Sequence, residues 1–112
     1  MIRQVITLIG IYTLMLSSTA WAEAGWTDEV TVIELIPTAK HYFELRLAGK
    51  KNPSGCREKD GFYINYEARG ADKMFDLFVD SIKTGLSLRV YVTGVCNLSG
   101  YSEISSVSVS PE

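Results

Sequence analysis

The chain has 112 residues, a formal net charge of −2 at pH 7 and two cysteines. That length accommodates one domain. The near-balance of acidic and basic side chains argues against a general nucleic-acid binder, which would usually carry a basic surplus. A domain of this size has only a small hydrophobic core, so a covalent cross-link would supply a large share of its stability.

The first 22 residues have the pattern of an export signal. Arg3 supplies the positive charge, residues 5–16 are mostly apolar, and Ala20 and Ala22 form the small-x-small pattern that signal peptidase recognises. The apolar run is shorter than the roughly 20 residues that a membrane-spanning helix needs, which disfavours the alternative of an uncleaved anchor. We therefore expect cleavage after Ala22, a secreted or periplasmic protein without a stable membrane span, and one domain over residues 23–112.

Two β-strands are predicted next. Residues 23–28 form a short polar lead that contains Trp26. Residues 30–36 have apolar side chains at both odd and even positions. This predicts a strand that is buried on both faces, either inside a barrel wall or against another subunit. Residues 41–47 alternate between apolar and polar, which predicts a half-buried strand.

The loop over residues 48–61 is rich in turn-forming residues and contains a basic cluster. The members of this cluster are Lys50, Lys51, Arg57 and Lys59. They could contact a phosphate or an acidic partner. Because Glu58 and Asp60 are interleaved with them, a solvated loop of mixed charge is favoured.

The second half of the chain predicts one helix and three more strands. Residues 71–84 repeat apolar side chains at helical spacing, and Gly85 is placed as the C-terminal cap. The strands are predicted over residues 62–67, 86–93 and 101–109. Five strands, with one helix between the third and the fourth, is the element order of a mainly β, five-stranded oligonucleotide/oligosaccharide-binding barrel. A two-layer α+β sandwich is the alternative.

Cys56 and Cys96 are predicted to form a disulfide, because export places them in an oxidising compartment. In the chain-entropy model, a disulfide that closes the loop between residues 56 and 96 stabilises the protein by roughly 3–4 kcal/mol. A zinc site would lack a convincing ligand set, since His41 is the single histidine and the cysteines lack C-x-x-C spacing.

Catalytic patterns are absent from the sequence. His41 has no nucleophile motif near it, and the adjacent acids Asp28 and Glu29 would point to opposite faces of an extended segment. The glycines of residues 49–55 lack the spacing of a phosphate-binding loop. We expect neither an enzyme nor a bound cofactor or metal, and the acidic balance argues against a nucleic-acid partner.

A sugar-binding set stands at the entrance to the first predicted strand. Trp26 offers an aromatic face, Thr27 a hydroxyl, and Asp28 and Glu29 carboxylates for sugar hydroxyls. The alternative is that Trp26 closes the end of a barrel and Asp28 makes a turn, and composition alone favours this alternative.

Three segments resemble the B subunits of subtilase cytotoxin and typhoid toxin. They are WTDEV at residues 26–30, the aromatic pair Tyr42-Phe43, and TGLSLRV at residues 84–90. That family carries a Ser-Asp-Glu-Val segment at its first strand and a Thr-Gly-x-Ser-Val-Arg segment after its helix. The similarity extends over about residues 26–93.

The resemblance implies a barrel of the oligosaccharide-binding type and a homopentameric ring whose helices line a central pore. It also implies sialylated glycan ligands on host cells and an accompanying catalytic A subunit. Thr27 matches the family's serine that contacts the sialic acid carboxylate, and Asp28 and Glu29 match its acidic pair.

The two cysteines differ from the toxin pattern and are more similar to those of a set of small exported bacterial proteins. A shared fold does not by itself give a shared function. A monomeric periplasmic domain with a structural or inhibitory role and no sugar site is therefore the alternative function.

Overall fold

A computed structural model describes residues 23–49 and 51–110. The predicted signal peptide, residues 1–22, and its cleavage site lie outside the described residues, as does Lys50. The elements are β1 (Gly25–Trp26), β2 (Thr31–Pro37), β3 (Tyr42–Ala48), β4 (Gly61–Asn65), α1 (Ala71–Thr84), β5 (Arg89–Val92) and β6 (Ser102–Ser108). A mainly β fold with one helix between β4 and β5 is confirmed. The short strand β1 is an addition, because the sequence pattern predicted only a polar lead there.

The strands form a mixed sheet in the order β1-β5-β6-β4-β3-β2. Neighbouring strands are antiparallel except β4 and β6, which are parallel. The two edge strands, β1 and β2, are separated in the chain only by residues 27–30. Thr27 donates its backbone N–H to the Val90 carbonyl at 2.9 Å, and Val30 and Leu88 exchange backbone hydrogen bonds of 2.7 and 2.9 Å. The segment between the two edges therefore continues the pairing with β5.

The core lies between the inner face of the sheet and α1. Alternation in β3 buries Phe43, Leu45 and Leu47, as the pattern of a half-buried strand predicts. The other buried members of this core are Val30, Phe62, Ile64, Ala71, Phe78, Leu88, Val90, Val92 and Ile104. The polar side chains of the strands are consequently directed to the opposite face, where a ligand could reach them.

The helix α1 spans the predicted residues. It begins after Gly70 and ends before Gly85, whose backbone has φ +75° and whose N–H donates to the Ser81 carbonyl at 2.8 Å. A left-handed glycine is a common way to end a helix, because it satisfies the last carbonyls without steric strain from a Cβ atom. The predicted cap at Gly85 is confirmed.

The prediction that the first long strand is buried on both faces is wrong for the single chain. Ile33 in β2 is 57% exposed. The register between β2 and β3 shifts between Val32 and Glu34, and a bulge of this kind leaves its extra residue outside the ladder and turns it away. The other reading of the pattern, contact with another subunit, stays a prediction.

The predicted disulfide between Cys56 and Cys96 is confirmed, with the two Cα atoms 5.6 Å apart. It joins the loop after β3 to the loop after β5. The loop after β3 also holds the start of the described chain, since the backbone N–H of Glu23 donates to the Ser54 carbonyl at 3.3 Å. The disulfide thus supports the segment that leads into β1.

Candidate functional site

The four predicted sugar-binding residues lie together on the segment that joins β1 to β2, beside β5. Trp26 is 40% exposed, whereas Thr27 is 3% exposed. Asp28 and Glu29 are both exposed. The structure therefore presents three of the four side chains to solvent and buries the fourth.

Trp26 has two neighbours on the outer face of the sheet. It stands opposite Tyr91 in the β1–β5 ladder, and the two rings meet edge to face with centroids 5.4 Å apart. The guanidinium carbon of Arg89 is 5.3 Å from the Trp26 ring centroid. An exposed cation–π contact of this kind contributes about 0.5–1 kcal/mol, so the pair favours an ordered arrangement of Arg89 beside the indole.

A polar hollow of about 270 Å³ lies next to this pair. It is lined by Glu29, Ser87, Leu88, Arg89, Ser108 and Ser110. Arg89 and Ser108 are directly opposite each other in the β5–β6 ladder. The volume is near the lower end for small-molecule sites, and the lining offers a guanidinium, a carboxylate and hydroxyls. We call Trp26, Glu29, Ser87, Arg89 and Ser108 the Trp–Arg surface.

Thr27 uses its hydroxyl within the protein. The Oγ1 atom donates to the Asp28 carbonyl at 2.8 Å and accepts the Val90 backbone N–H at 3.2 Å. The resemblance assigns a glycan contact to this position, but here the hydroxyl is buried and both of its hydrogen bonds go to backbone groups. Thr27 therefore lies beneath the Trp–Arg surface and fixes the segment that carries it.

The two acids differ in position. Glu29 lines the hollow, whereas Asp28 lies outside its lining. Within residues 23–49 and 51–110 the ion pairs are Arg46–Asp60 and Arg57–Glu58, so neither Asp28 nor Glu29 has a salt bridge there. Both carboxylates can accept hydrogen bonds from a ligand.

The sequence prediction missed Arg89 and the serines as site residues. Arg89 belongs to the segment TGLSLRV, one of the segments that resemble the toxin B subunits. Its position beside Trp26 depends on the β1–β5 register, which no spacing in the sequence reveals.

A second polar cluster lies on the outer face of β4 and β6. Glu103 accepts hydrogen bonds from Thr93 Oγ1 at 2.8 Å and from Asn65 Nδ2 at 3.5 Å. Burial raises the pKa of Tyr63, and the nearby charge of Glu103 raises it further, while a backbone hydrogen bond at Asn97 lowers it. These contacts hold neighbouring strands together, and Tyr63, which is 4% exposed, offers a ligand little surface.

No three or more His, Cys, Asp or Glu side chains are grouped to hold a metal ion in the described part of the chain. The helix of residues 71–84, the only one described, is not long and apolar enough to cross a membrane.

No protein-family model matches the sequence, and no curated protein matches it either. The resemblance to toxin B subunits therefore stays a prediction that depends on the three short segments.

Proposed function

We propose that the chain is a secreted, glycan-binding, B-subunit-like protein that recognises sialylated or related cell-surface sugars through the Trp–Arg surface. The observation that carries this proposal is the position of Arg89. Its guanidinium carbon is 5.3 Å from the ring centroid of the exposed Trp26, and Arg89 also lines a hollow that contains serine hydroxyls. The proposal assigns no catalytic role to the chain, and a catalytic A subunit would be a separate partner.

The chemistry of an acidic sugar matches this surface. A sialic acid presents a carboxylate, hydroxyls and an apolar C–H face. A guanidinium pairs with a carboxylate through two parallel hydrogen bonds, and an indole offers a broad apolar face with a polar N–H at its edge. Ser87, Ser108 and Glu29 supply partners for the sugar hydroxyls.

The fold that we infer is the five-stranded oligosaccharide-binding barrel. Its support is the path of residues 25–37, because β1 pairs with β5 and β2 pairs with β3. Counted as one bent strand, this stretch neighbours both ends of the remaining sheet, and the Val30–Leu88 hydrogen bonds continue the contact. A barrel requires such a strand, since closure removes both sheet edges.

The homopentameric ring is supported by exposed apolar side chains at two separate places. One is Ile33 on β2. The other is an apolar groove of about 280 Å³ whose lining includes Leu77, Leu86 and Val109, of which Leu86 is 41% and Val109 40% exposed. A ring is built from two different, complementary surfaces on each subunit, and these two places supply candidates.

A sialoglycan array tests the proposed function directly. The mature chain should bind sialylated glycans, and Arg89→Gln and Trp26→Ala should each weaken binding about tenfold or more, because each removes a contact that the proposal needs. Arg69→Gln is the matched control, since Arg69 is an exposed arginine outside the Trp–Arg surface, and it should bind like wild type. Silence of the wild-type protein on the array, or full binding by Arg89→Gln, would contradict the proposal.

The alternative is a monomeric periplasmic domain with a structural or inhibitory role. The observation that favours it is Thr27, whose hydroxyl is buried and bonded to the backbone where the resemblance implies a ligand contact. A single-chain mass in light scattering, combined with no glycan binding, would favour this alternative.

A further inference from the structure

A second hollow, of about 300 Å³, lies on the side of residues 28–30 that faces the loop after β3. It is lined by Val30, Gly49, Lys51, Asn52 and Lys59. None of these residues belongs to the Trp–Arg surface. The hollow is therefore a separate place where a ligand group could be held.

The charge of this hollow is positive and is not balanced by its own lining. The acids that the sequence interleaves with the basic cluster have other partners. Asp60 pairs with Arg46 at 3.1 Å, and Glu58 lies 3.9 Å from Arg57. Within the described ranges, neither Lys51 nor Lys59 forms a salt bridge, and both are exposed. The two ammonium groups thus remain available for an anion.

The backbone around the two lysines is held in place. The Asn52 side-chain amide donates to the Lys59 carbonyl at 3.0 Å and to Ser102 Oγ at 3.1 Å, and its Oδ1 accepts the Ser54 N–H at 3.0 Å. A Cβ atom at Gly49 would stand 2.3 Å from Val30 Cγ1, so only glycine allows this close approach. The hollow is consequently formed before any ligand arrives.

Two consecutive residues at the junction between β1 and β2 belong to different hollows. Glu29 lines the first and Val30 lines the second, and consecutive Cα atoms are only about 3.8 Å apart. An extended oligosaccharide could therefore contact both. Asp28 directly precedes these two residues and is in neither lining, so its carboxylate would repel an anion placed over it and favour one on either side.

We propose that the Lys51–Lys59 hollow is a second subsite, which binds a sulfate or carboxylate on the sugar unit next to the one at the Trp–Arg surface. This inference rests on the proposed function. It names the ligand class more narrowly, as acidic oligosaccharides that carry two anionic groups. Exposed ammonium–anion contacts are individually weak, so the two lysines together predict a preference of about three- to tenfold.

Calorimetry with two defined ligands tests this subsite. One ligand is a sialylated trisaccharide with a single carboxylate, and the other is the same trisaccharide with one added sulfate ester. The wild-type protein should bind the sulfated form about three- to tenfold more tightly. Lys51→Gln/Lys59→Gln should bind both ligands with the affinity that wild type has for the unsulfated one. Lys73→Gln/Lys83→Gln removes the same charge from exposed positions on α1 and should retain the preference.

A salt series on the wild-type protein gives a second measurement that needs no variant. The preference should disappear at on the order of 1 M salt, where the Debye length is about 3 Å. Equal binding of the two ligands at low salt would overturn the second subsite and leave the proposed function standing. Absence of binding to either ligand would overturn the proposed function, and the subsite with it.

Discussion

At the scale of single residues, Thr27 has the best-defined role in the candidate site. Its side chain is 3% exposed, and its hydroxyl satisfies the buried backbone N–H of Val90. A hydroxyl in this position stabilises the segment that carries Trp26 and Glu29, whether or not a glycan is present.

We predict that Thr27→Val lowers the free energy of unfolding by about 1–3 kcal/mol, the cost of leaving a buried hydrogen-bonding group without its partner. Urea unfolding measures this loss. Thr31→Val is the matched control, because Thr31 is exposed on β2, and it should change the stability by less than about 0.5 kcal/mol. Equal stability of Thr27→Val and wild type, together with lost glycan binding, would instead indicate a direct ligand contact.

Only part of the candidate site could be predicted from the sequence. The set of residues 26–29 could be chosen because aromatic, hydroxyl and carboxylate groups are adjacent in the chain. Arg89 could not be assigned to it, because it approaches Trp26 only through the pairing of Trp26 with Tyr91. Pairing register depends on tertiary packing, so residues brought together across strands are missing from a site predicted from spacing.

At the scale of elements, periodic segments were the predictable ones. The helical repeat and the glycine after it predicted the bounds of α1, and alternation predicted the inward face of β3. Strand β1 was missed because two residues, Gly25 and Trp26, are too short to show a period. The bulge that exposes Ile33 was also missed. Apolar residues at both odd and even positions of a strand indicate burial on both faces, and only the pairing register shows that Ile33 lies outside the ladder.

The disulfide is the element-scale feature with the largest expected effect on stability. We predict that Cys56→Ser/Cys96→Ser lowers the free energy of unfolding by about 3–4 kcal/mol, because the cross-link restricts the unfolded chain. Urea unfolding of the oxidised wild type and the variant measures the difference. Amide exchange should quicken first in residues 23–28, since Ser54, beside the cross-link, accepts the Glu23 N–H.

Reduced wild-type protein is the control for this prediction, because it has lost the cross-link and kept both sulfur atoms. It should unfold at the same urea concentration as the double serine variant. A difference below about 1 kcal/mol between oxidised and reduced protein would show that the two loops are held by their other contacts, such as the Arg57 bond to the Ser99 carbonyl at 2.9 Å.

At the scale of the whole molecule, the small net charge of −2 conceals an uneven distribution. Arg89 and Glu29 line one hollow, and Lys51 and Lys59 line the other. Local arrangement of this kind favours recognition of an acidic ligand even where the total charge is negative. In a ring, each copy would present the same pair of hollows, so weak single contacts would gain from multivalent attachment.

The proposed ring gives the last prediction, which concerns Ile33. This side chain is 57% exposed on the edge strand β2, and a lysine on such an edge opposes pairing with another chain. We predict that Ile33→Lys shifts the protein from a pentamer to a monomer in light scattering. Because the residue is exposed in the single chain, the stability of the subunit should change by less than about 0.5 kcal/mol.

Ala68→Lys adds the same charge at an exposed turn outside both apolar places and should leave the pentamer intact. A monomeric wild type would contradict the ring, and a pentameric Ile33→Lys would remove Ile33 from the subunit interface.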